Sequence, residues 1–385
     1  MREMATRRVL IVGAGIGGLV TAIALRREGV DVSLFERASD LAPMGAGLTI
    51  WANAITTLQR IGLGDMLASI GKPLMRSRIL SWRGDTLAET PVETLARRFG
   101  TPMVAVHRAD LQDALLAALG PGVVRTDAAG TGFTQDGAQA RLRLASGEEV
   151  AGDLLIGADG LRSTIRAQLF GATPPRYAGY TAWRGIARIT PPQWAEAMAT
   201  ETWGGGRRFG LVPLSNGRMY WFATLNAPQG ARDRPGGRKR ELLDLFASCH
   251  DPAPAVIEAT DEAAILRNDI YDRPPLASWS RGRVTLIGDA AHPTTPNMGQ
   301  GACQAIEDAA ALAERLRADA TIANALKGYE ARRLARANAI VQQSRRLGEI
   351  AQWENRWAAG LRDTLFSMLP DSMLFRPLEA VLEPA

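Results

Sequence analysis

The chain has 385 residues, of which 46% are hydrophobic and 22% charged, a balance that is ordinary for a globular protein of two or three domains. The net charge of +5 comes from scattered arginines, and no clustered basic patch with interleaved aromatic residues indicates nucleic-acid binding. Two cysteines without a CxxC pair argue against a disulfide framework, a redox dithiol or a thiolate metal site, and no apolar run reaches the roughly 18 residues of a membrane span.

The N-terminal region predicts a strand–helix–strand unit. The apolar run RVLIV (Arg8–Val12) ends at GAGIGG, and a segment of helical period follows it and stops at Gly29. The next run, VDVSLFE, has the composition of a second strand. This order of elements is typical of a parallel sheet covered by helices. No apolar region with a cleavage site precedes the unit, so we expect a cytoplasmic protein.

Later segments predict a second sheet of different character. The periodicity favours helices over Trp51–Ile70 and Arg108–Leu119, hairpin strands over Thr126–Val150 and a buried strand in DLLIGADG. From Tyr177 to about Tyr271, tryptophan, tyrosine and glycine become frequent, and RRFGLVPLSNGRMYWFATLN predicts two antiparallel strands joined at an SNGR turn. A buried strand then returns at Arg283–Ile287, and the chain from Cys303 onward is mostly helical.

Three glycines of the first loop, Gly13, Gly15 and Gly18, occupy the positions of a dinucleotide-binding fingerprint. The first permits a tight turn, the second lets the backbone approach a pyrophosphate, and the third lets helix and strand pack closely. Glu36 ends the second strand, where a carboxylate can accept hydrogen bonds from the ribose hydroxyls. The loop therefore predicts a site for FAD or NAD and does not by itself distinguish them.

Two later loops favour FAD. GADGLRSTIR places Asp159 after a buried strand, and GDAAHPTTPNMGQGA places Asp289 after the run RVTLI. A strand-end aspartate can bind polyol hydroxyls, and a helix that opens at Gly299–Gly301 offers free N–H groups and a partial positive charge. This pairing suits a ribityl chain at Asp289 and the edge of a flavin ring at the helix N-terminus.

These motifs occur in the order and with the spacing of one family. From about residue 7 to residue 345 the chain resembles the single-component FAD-dependent aromatic hydroxylases typified by para-hydroxybenzoate hydroxylase, and among them urate hydroxylases, salicylate hydroxylases and zeaxanthin epoxidases. The resemblance implies a monooxygenase in which NADH or NADPH reduces FAD, and O2 then forms a flavin C4a-hydroperoxide. That species would hydroxylate a small electron-rich aromatic or heteroaromatic substrate.

The resemblance also implies a domain arrangement. The fold class is α/β, with a Rossmann-like FAD-binding domain around a parallel sheet and an inserted substrate domain built on an antiparallel sheet. We expect the FAD-binding domain to comprise residues 1–71, 102–176 and 276–345, the substrate domain residues 72–101 and 177–275, and a C-terminal helical segment residues 346–385.

Residues that would contact FAD follow from the matched motifs. Glu36 would bind the adenosine ribose, Arg108 the phosphate and ribityl oxygens, and Asp289 the ribityl chain, while Asp159 would serve both FAD and the approaching nicotinamide. The complete set of FAD contacts implied in this way is Gly13, Gly15, Gly18, Glu36, Arg37, Arg108, Gln112, Asp159, Asp289, Pro296, Gly299, Gly301 and Ala302.

Four residues are candidates for catalysis. Arg208 and Tyr220 match an arginine and a tyrosine that face the substrate in the urate hydroxylase pattern, and such a pair can anchor an anionic or carbonyl-bearing ring. Alternatively, Arg208 is a surface charge and Tyr220 a core residue. Asn297 replaces an aspartate of that pattern, which argues against urate as the substrate. His292 is a candidate base or, alternatively, a structural hydrogen-bonding residue of its loop.

Several alternatives stay open at this point. One is epoxidation of an isoprenoid or polyketide-like substrate by the same chemistry, which a long apolar tunnel would favour. Another is a flavin-binding protein or isomerase without oxygenase activity, and a third is a simple NAD dehydrogenase. The chain has no second strand–GxGxxG–helix unit, so we expect no separate NADPH domain. We expect a monomer or a homodimer, and as partners only a small aromatic substrate and O2. Candidates for an apolar pocket lining are Trp183, Trp203, Trp221 and Phe222.

Overall fold

A computed structural model describes residues 7–41, 46–189, 197–370 and 378–383. Residues 371–377 and 384–385 of the C-terminal segment therefore lie outside the described residues, as do parts of both expected domains. The described strands are β1 (Arg8–Val12), β2 (Asp31–Phe35), β3 (Gly47–Ile50), β4 (Lys72–Pro73), β5 (Arg76–Ser81), β6 (Thr86–Thr90), β7 (Val104–His107), β8 (Val124–Arg125), β9 (Gly130–Gln135), β10 (Ala140–Leu144), β11 (Glu149–Gly152), β12 (Leu154–Gly157), β13 (Arg176–Ala187), β14 (Met198–Trp203), β15 (Arg207–Pro213), β16 (Met219–Asn226), β17 (Leu266–Asp272), β18 (Ser280–Arg281) and β19 (Val284–Leu286).

Helices cover the parallel sheet and form the C-terminal part of the molecule. The described α-helices are α1 (Ile16–Arg27), α2 (Ala52–Arg60), α3 (Gly64–Ile70), α4 (Val92–Phe99), α5 (Arg108–Leu119), α6 (Thr164–Phe170), α7 (Arg238–Phe246), α8 (Ala253–Glu258), α9 (Gly301–Ala318), α10 (Ile322–Ala351) and α11 (Arg356–Met368). Short 3₁₀ turns occur at Glu262–Ala264, Gly288–Ala290 and Pro296–Met298.

A mostly parallel sheet carries the first glycine loop. Its strand order is β18-β19-β12-β1-β2-β8, and all neighbours except β18 and β19 run parallel. The central strands are continuous apolar runs because both faces of the sheet are covered, and Leu10 and Val12 on one face of β1 pack against Gly152 and Gly130 of the small sheet β11-β10-β9. The carboxyl ends of β1, β12 and β19 lead directly into the three loops that the sequence singled out, so these loops meet at one edge of the sheet.

A seven-stranded sheet forms the second layer, in the order β17-β13-β16-β15-β14-β5-β6. Its neighbours are antiparallel except β14 and β5, which run parallel. Strands β5 and β6 come from residues 72–101; β5 pairs with β14 of residues 177–275, and β6 pairs with β5 at the edge of the sheet. The domain division stays our prediction, and this pairing supports it. Smaller antiparallel sheets, β11-β10-β9 and β3-β7-β4, complete the described strands.

The two faces of the seven-stranded sheet have different neighbours. On one face Trp183, Phe209 and Trp221 are buried in a core with α7 and α8. The indole of Trp203 is also buried and packs edge-on against Phe366 of α11. Of the four aromatic residues expected to line a pocket, only Phe222 does so, because strand alternation sends Trp183 and Trp221 to the opposite face.

The sequence-based elements are confirmed with one exception. The parallel sheet, the antiparallel sheet and the C-terminal helices are all present, and Asn216 and Gly217 of the SNGR turn both have a left-handed φ, as a tight hairpin requires. The single helix expected over Trp51–Ile70 was wrong. The chain ends α2 at Arg60, turns through Gly62 at φ +71°, and begins α3 at Gly64.

A buried ionic cluster joins α9 and α10 beneath the third loop. Arg333 is fully buried and donates to Asp308 (Nε to Oδ1, 2.9 Å) and to Glu307. Burial would raise the pKa of Asp308, but interactions with His292 and Arg333 lower it to about 2.

Every helix in the described part of the chain is too short or too polar to span a membrane.

Candidate active site

A cavity of about 400 Å3 lies between the loop edge of the parallel sheet and the seven-stranded sheet. Its lining comes from the glycine loop, from β3, from the first turn of α9 and from alternate residues of β13 to β16. Of the residues predicted for the site, the lining includes Gly15, Arg108, Arg208, Tyr220, Asp289, Pro296, Asn297, Gly299, Gly301 and Ala302.

The three fingerprint glycines have three different surroundings. A Cβ at Gly18 would lie 1.9 Å from the carbonyl oxygen of Gly13, and a Cβ at Gly13, where φ is +106°, would lie 2.4 Å from the carbonyl oxygen of Ala158. A Cβ at Gly15 would meet nothing within 4 Å and would project into open space at the start of α1. Gly13 and Gly18 are therefore needed for packing, whereas Gly15 leaves room for a ligand at a helix N-terminus.

Asp289 presents a carboxylate to the cavity. No side chain or backbone group of the described residues forms a hydrogen bond with it, although Arg108 lies near enough to influence it. The residue opens onto the cavity but lies deep in the protein. Burial raises the pKa of its carboxyl, and His292 and Arg108 offset part of that rise. This arrangement leaves an unpaired acceptor available for ligand hydroxyl groups.

The loop after Asp289 brings a helix N-terminus to the cavity wall. Gly299 turns with φ +62°, and a Cβ there would lie 2.9 Å from Oγ1 of Thr49. Helix α9 then begins at Gly301 with small residues, and a Cβ at Gly17 would lie only 3.2 Å from Cβ of Ala305. Small side chains therefore let α9 approach the glycine loop and direct its free N–H groups at the cavity.

Two candidate residues bind protein groups instead of facing the cavity. The Asp159 carboxylate caps α6, accepting hydrogen bonds from Ser163 Oγ and from the backbone N–H of Thr164 at 2.7 Å. His292 Nε2 lies 2.6 Å from Oδ2 of Asp308 in the buried cluster. Neither side chain lines the cavity, whereas Ala158 and Gly160, beside Asp159, do so. The geometry of His292 fits the structural alternative.

Three further candidate FAD contacts lie outside the cavity lining. Glu36 accepts hydrogen bonds from the backbone N–H groups of Ala14 (2.7 Å) and Ala38 (3.0 Å), so it ties the second strand to the glycine loop. Arg37 is exposed and Gln112 is half-buried. Glu36 nevertheless follows β2 directly and lies beside the loop that carries Gly15.

Arg208 is buried on the cavity-facing side of the seven-stranded sheet, and three protein acceptors hold its guanidinium. Nε donates to Oε1 of Gln352 at 2.9 Å, Nη1 to Oε1 of Glu201 at 2.9 Å, and Nη2 to Oδ1 of Asn297 at 2.8 Å. A guanidinium has five N–H donors, so two remain for another acceptor. Arg208 is therefore not the surface charge of the alternative interpretation.

Asn297 uses its whole hydrogen-bonding capacity within the protein. Its Oδ1 accepts from Arg208 and from the hydroxyl of Tyr180 (3.2 Å), and its Nδ2 donates to Oγ1 of Thr295 (2.9 Å) and to the carbonyl oxygen of Ser344 (2.8 Å). A neutral amide with no free lone pair or proton is unable to act as a base. Asn297 instead connects Arg208 of the seven-stranded sheet to the loop that precedes α9.

Tyr220 lies against β3 from the other layer. A Cβ at Gly47 would lie 2.4 Å from both Cγ and Cδ1 of Tyr220, so the absence of a side chain at Gly47 admits the ring. Burial raises the pKa of the Tyr220 hydroxyl, and the neighbouring Arg184 lowers it in part. Tyr220 thus packs in the core and also lines the cavity, so it has features both of the core residue and of the substrate-facing residue that the sequence analysis considered.

Sequence reasoning missed Arg184, Glu201 and Gln352. The first two line the cavity beside Arg208, and Gln352 lies behind it. A signal for Arg184 is present in TAWRGIA, because Ala182 and Arg184 share a strand face opposite to the buried Trp183. No local signal exists for Gln352, which follows the last turn of α10.

Comparison with known proteins decides the family. A family model described as "FAD binding domain" matches residues 6–344. The chain belongs to this FAD-binding family. It is 45% identical over 361 residues to aurachin C monooxygenase/isomerase of Stigmatella aurantiaca, covering 94% of each chain, and 34% identical over 387 residues to FAD-dependent urate hydroxylase of Klebsiella pneumoniae, covering 96% of this chain and all of the relative. Its sequence is also 36% identical to the chloroplastic zeaxanthin epoxidase of Solanum lycopersicum, of which it spans 53%.

Solved structures of the family agree with the fold. Klebsiella pneumoniae HpxO complexed with FAD and uric acid has a TM-score of 0.92 at 31% identity, covering 98% of this chain and 96% of that one. A salicylate hydroxylase substrate complex has a TM-score of 0.78 at 24% identity, covering 99% of each chain, and is similar in fold alone. The protein is an FAD-dependent monooxygenase of this family, and NAD(P)H is the co-substrate typical of it.

The residues at the cavity fit FAD. The open position at Gly15 leaves space for a pyrophosphate at the N-terminus of α1, and the unpaired Asp289 offers an acceptor for ribityl hydroxyls. The first turn of α9 offers N–H groups to the electron-rich edge of a flavin ring. The same cavity extends from these three groups to Arg208.

Proposed function

We propose that this flavoprotein monooxygenase hydroxylates a small, electron-rich aromatic or heteroaromatic compound that carries a carbonyl or anionic oxygen, with NADH or NADPH and O2 as co-substrates. One observation carries the proposal: a single cavity joins the FAD-fitting loops to buried Arg208, whose guanidinium has two N–H bonds beyond the three that protein acceptors take. A small pocket with a buried guanidinium favours such a ring over a long isoprenoid chain, for which a long apolar tunnel is expected.

Each part of the chain has a distinct role in this proposal. Bound FAD supplies hydride acceptance and oxygen activation. The glycine loop holds the pyrophosphate, Asp289 the ribityl chain, and the α9 N-terminus stabilises negative charge on the ring edge. Arg208 donates two hydrogen bonds to the substrate oxygen, and Phe222 and Val212 provide apolar surface for its ring.

The roles of the remaining candidates follow from their contacts. We propose that Tyr220 borders the substrate ring, that Asn297 positions Arg208, and that His292 supports the Asp289 loop through Asp308. Asp159 orders the start of α6, so that the backbone of Ala158 and Gly160 forms the wall of the FAD site. Glu36, Arg37, Arg108 and Gln112 remain proposed contacts to the adenosine, phosphate and ribityl groups.

A second candidate function is oxygenation followed by rearrangement of the oxygenated product. The 45% identity to a relative that is both a monooxygenase and an isomerase favours it. The same site residues serve both candidates, because isomerisation of the product requires no further redox equivalent. The two differ in the carbon skeleton of the product, which NMR would reveal.

The decisive experiment uses the purified, FAD-loaded protein and a panel of phenols, salicylates, purines and quinolones. NADH and NADPH oxidation is measured with and without O2, and products are identified by mass spectrometry with 18O2. We expect a ligand with a ring oxygen to accelerate oxidation and to give a product heavier by one oxygen atom derived from O2. Lack of flavin reduction by either nicotinamide would contradict the proposal.

The cellular setting stays a prediction. We expect a cytoplasmic protein that is a monomer or a homodimer. Size-exclusion chromatography with light scattering of the FAD-loaded protein distinguishes the two states. Fractionation of the producing cells tests the location.

A further inference from the structure

One face of the last part of α10 lies behind the candidate substrate site. Ser344, Gly348 and Gln352 are spaced four residues apart, so they share a helix face. All three contact the hydrogen-bond system of Arg208: Ser344 accepts from Asn297, Gln352 accepts from Arg208, and Gly348 packs against Asn297. The family model ends at residue 344, so Gly348 and Gln352 lie beyond it.

Gln352 is held on every side by polar groups. Its Oε1 accepts from Nε of Arg208 (2.9 Å) and from Oγ1 of Thr224 (3.0 Å), and its Nε2 donates to Oδ1 of Asn226 at 2.8 Å. The side chain is buried and does not line the cavity. It therefore acts on a substrate only through Arg208.

Gly348 leaves the space that Asn297 occupies. A Cβ at Gly348 would lie 2.3 Å from Nδ2 of Asn297, closer than real carbon and nitrogen atoms approach. Asn297 in turn accepts from Nη2 of Arg208. The guanidinium is thus fixed from two directions by the same helix face, at Nε through Gln352 and at Nη2 through Asn297.

We propose that the C-terminal end of α10, through Gln352 and the space at Gly348, positions the Arg208 guanidinium for the substrate oxygen. The inference rests on the proposed function, because it takes Arg208 to be the substrate anchor. A planar guanidinium with Nε, Nη1 and Nη2 all bound has one orientation, so its two remaining N–H bonds point in fixed directions. If Gln352 and Asn297 no longer hold Nε and Nη2, only the Glu201 contact at Nη1 remains, and the group can rotate about it.

The test measures how strongly the site prefers an oxygen-bearing ring. FAD-loaded protein is titrated with 4-hydroxyquinoline and with quinoline, the same bicycle with and without the oxygen, and Kd is read from the change in flavin absorbance. We expect the wild type to bind the oxygenated probe about tenfold or more tightly, as charge-assisted hydrogen bonds allow. In Gln352→Met and Gly348→Ala this ratio should fall to within about threefold of unity.

Control variants separate positioning from loss of structure. Asn355→Ala removes the N-cap of α11, whose Oδ1 accepts from Trp357 and Ala358, and loosens the C-terminal segment without touching Arg208. It should lower the thermal midpoint and leave the ratio unchanged. If Gln352→Met fails to fold, Gly348→Ala decides the matter, because alanine is favourable within a helix and the three atoms nearest to the new Cβ all belong to the Asn297 side chain, which is the group to be displaced. In the Arg208→Leu background, Gln352→Met should change neither Kd more than about twofold.

The possible failures are distinguishable. Folded Gln352→Met and Gly348→Ala proteins that keep the wild-type ratio would overturn the positioning role and leave the proposed function intact. A wild-type protein that binds both probes equally would instead contradict the proposed function, because Arg208 would then not recognise an oxygen.

Discussion

The contact between Gly47 and Tyr220 offers a sharp test of how the two layers meet at the cavity. Gly47 has no left-handed φ, so alanine fits its backbone, and the three atoms nearest to the new Cβ all belong to Tyr220: Cγ and Cδ1 at 2.4 Å and Cβ at 2.7 Å. Ordinary contacts begin near 3.4 Å, so the ring base must move by about 1 Å in Gly47→Ala. Overpacking of this kind costs about 1–3 kcal/mol. For a chain of this length that lowers the thermal midpoint by about 1–4 °C.

A double-mutant cycle isolates this contact. Gly47→Ala, Tyr220→Ala and the double variant are compared by urea and thermal unfolding of the FAD-loaded protein. We expect the Gly47→Ala penalty to fall in the Tyr220→Ala background, with a coupling of up to about 1–3 kcal/mol, and part of it to remain because Cβ of position 220, 2.7 Å from the new Cβ, is still present. Gly137→Ala is the matched control, since a Cβ at Gly137 meets nothing within 4 Å and its φ is not left-handed. A penalty of undiminished size without the Tyr220 ring would refute the assignment of the contact.

The other predictions concern the FAD site and the ionic cluster. Gly15→Ala should weaken FAD binding at least about tenfold without lowering the stability of the apoprotein. Gly18→Ala should also destabilise the apoprotein, by about 1–3 kcal/mol. Titration with FAD measures the first effect, and calorimetry of the apoprotein measures the second. Asp289→Asn should weaken FAD binding and raise the stability of the apoprotein at pH 7. Burial raises the pKa of the Asp289 carboxyl, so its ionisation at a pH above that pKa destabilises the folded state, and the amide avoids this cost. An unchanged Kd for FAD would contradict the role of Asp289 in binding the ribityl chain. Asp308→Asn should cost about 3 kcal/mol at pH 7. The stability that the lowered pKa confers is complete above about 3.8 and is lost as the pH falls towards about 2, so wild-type and variant unfolding midpoints should converge over that range.

The sequence predicted the parts of the site that are local in the chain. GAGIGG, GADG and the Asp289 loop each follow a buried strand, and parallel strands in one sheet bring their carboxyl ends to one edge. The break at Gly62 was missed because α2 and α3 continue one apolar pattern across a glycine that a helix interior also tolerates.

Contacts between distant segments could not be read from the sequence. Arg208 is 144 residues from Gln352 and 89 from Asn297, and no local pattern in any of the three segments indicates the others. The direction of the Asp159 carboxylate was equally hidden, because an aspartate before a helix can cap it or face a ligand with the same sequence around it. Side-chain partners over such separations depend on how the sheet and α10 pack.

Asn297 explains how the substrate anchor and the FAD loops keep a fixed separation. Its amide binds Arg208 of the seven-stranded sheet on one side, and Thr295 and the Ser344 carbonyl on the other, so the anchor is tied to the loop that opens α9. An aspartate there would lose both donated hydrogen bonds and would place a carboxylate oxygen about 2.8 Å from a carbonyl oxygen. The asparagine avoids that repulsion and leaves Glu201 as the one ionised group bonded to Arg208 among the described residues. With one carboxylate beside it and not two, the Arg208 guanidinium attracts an anionic oxygen more strongly. This site should therefore select a substrate oxygen with anionic character.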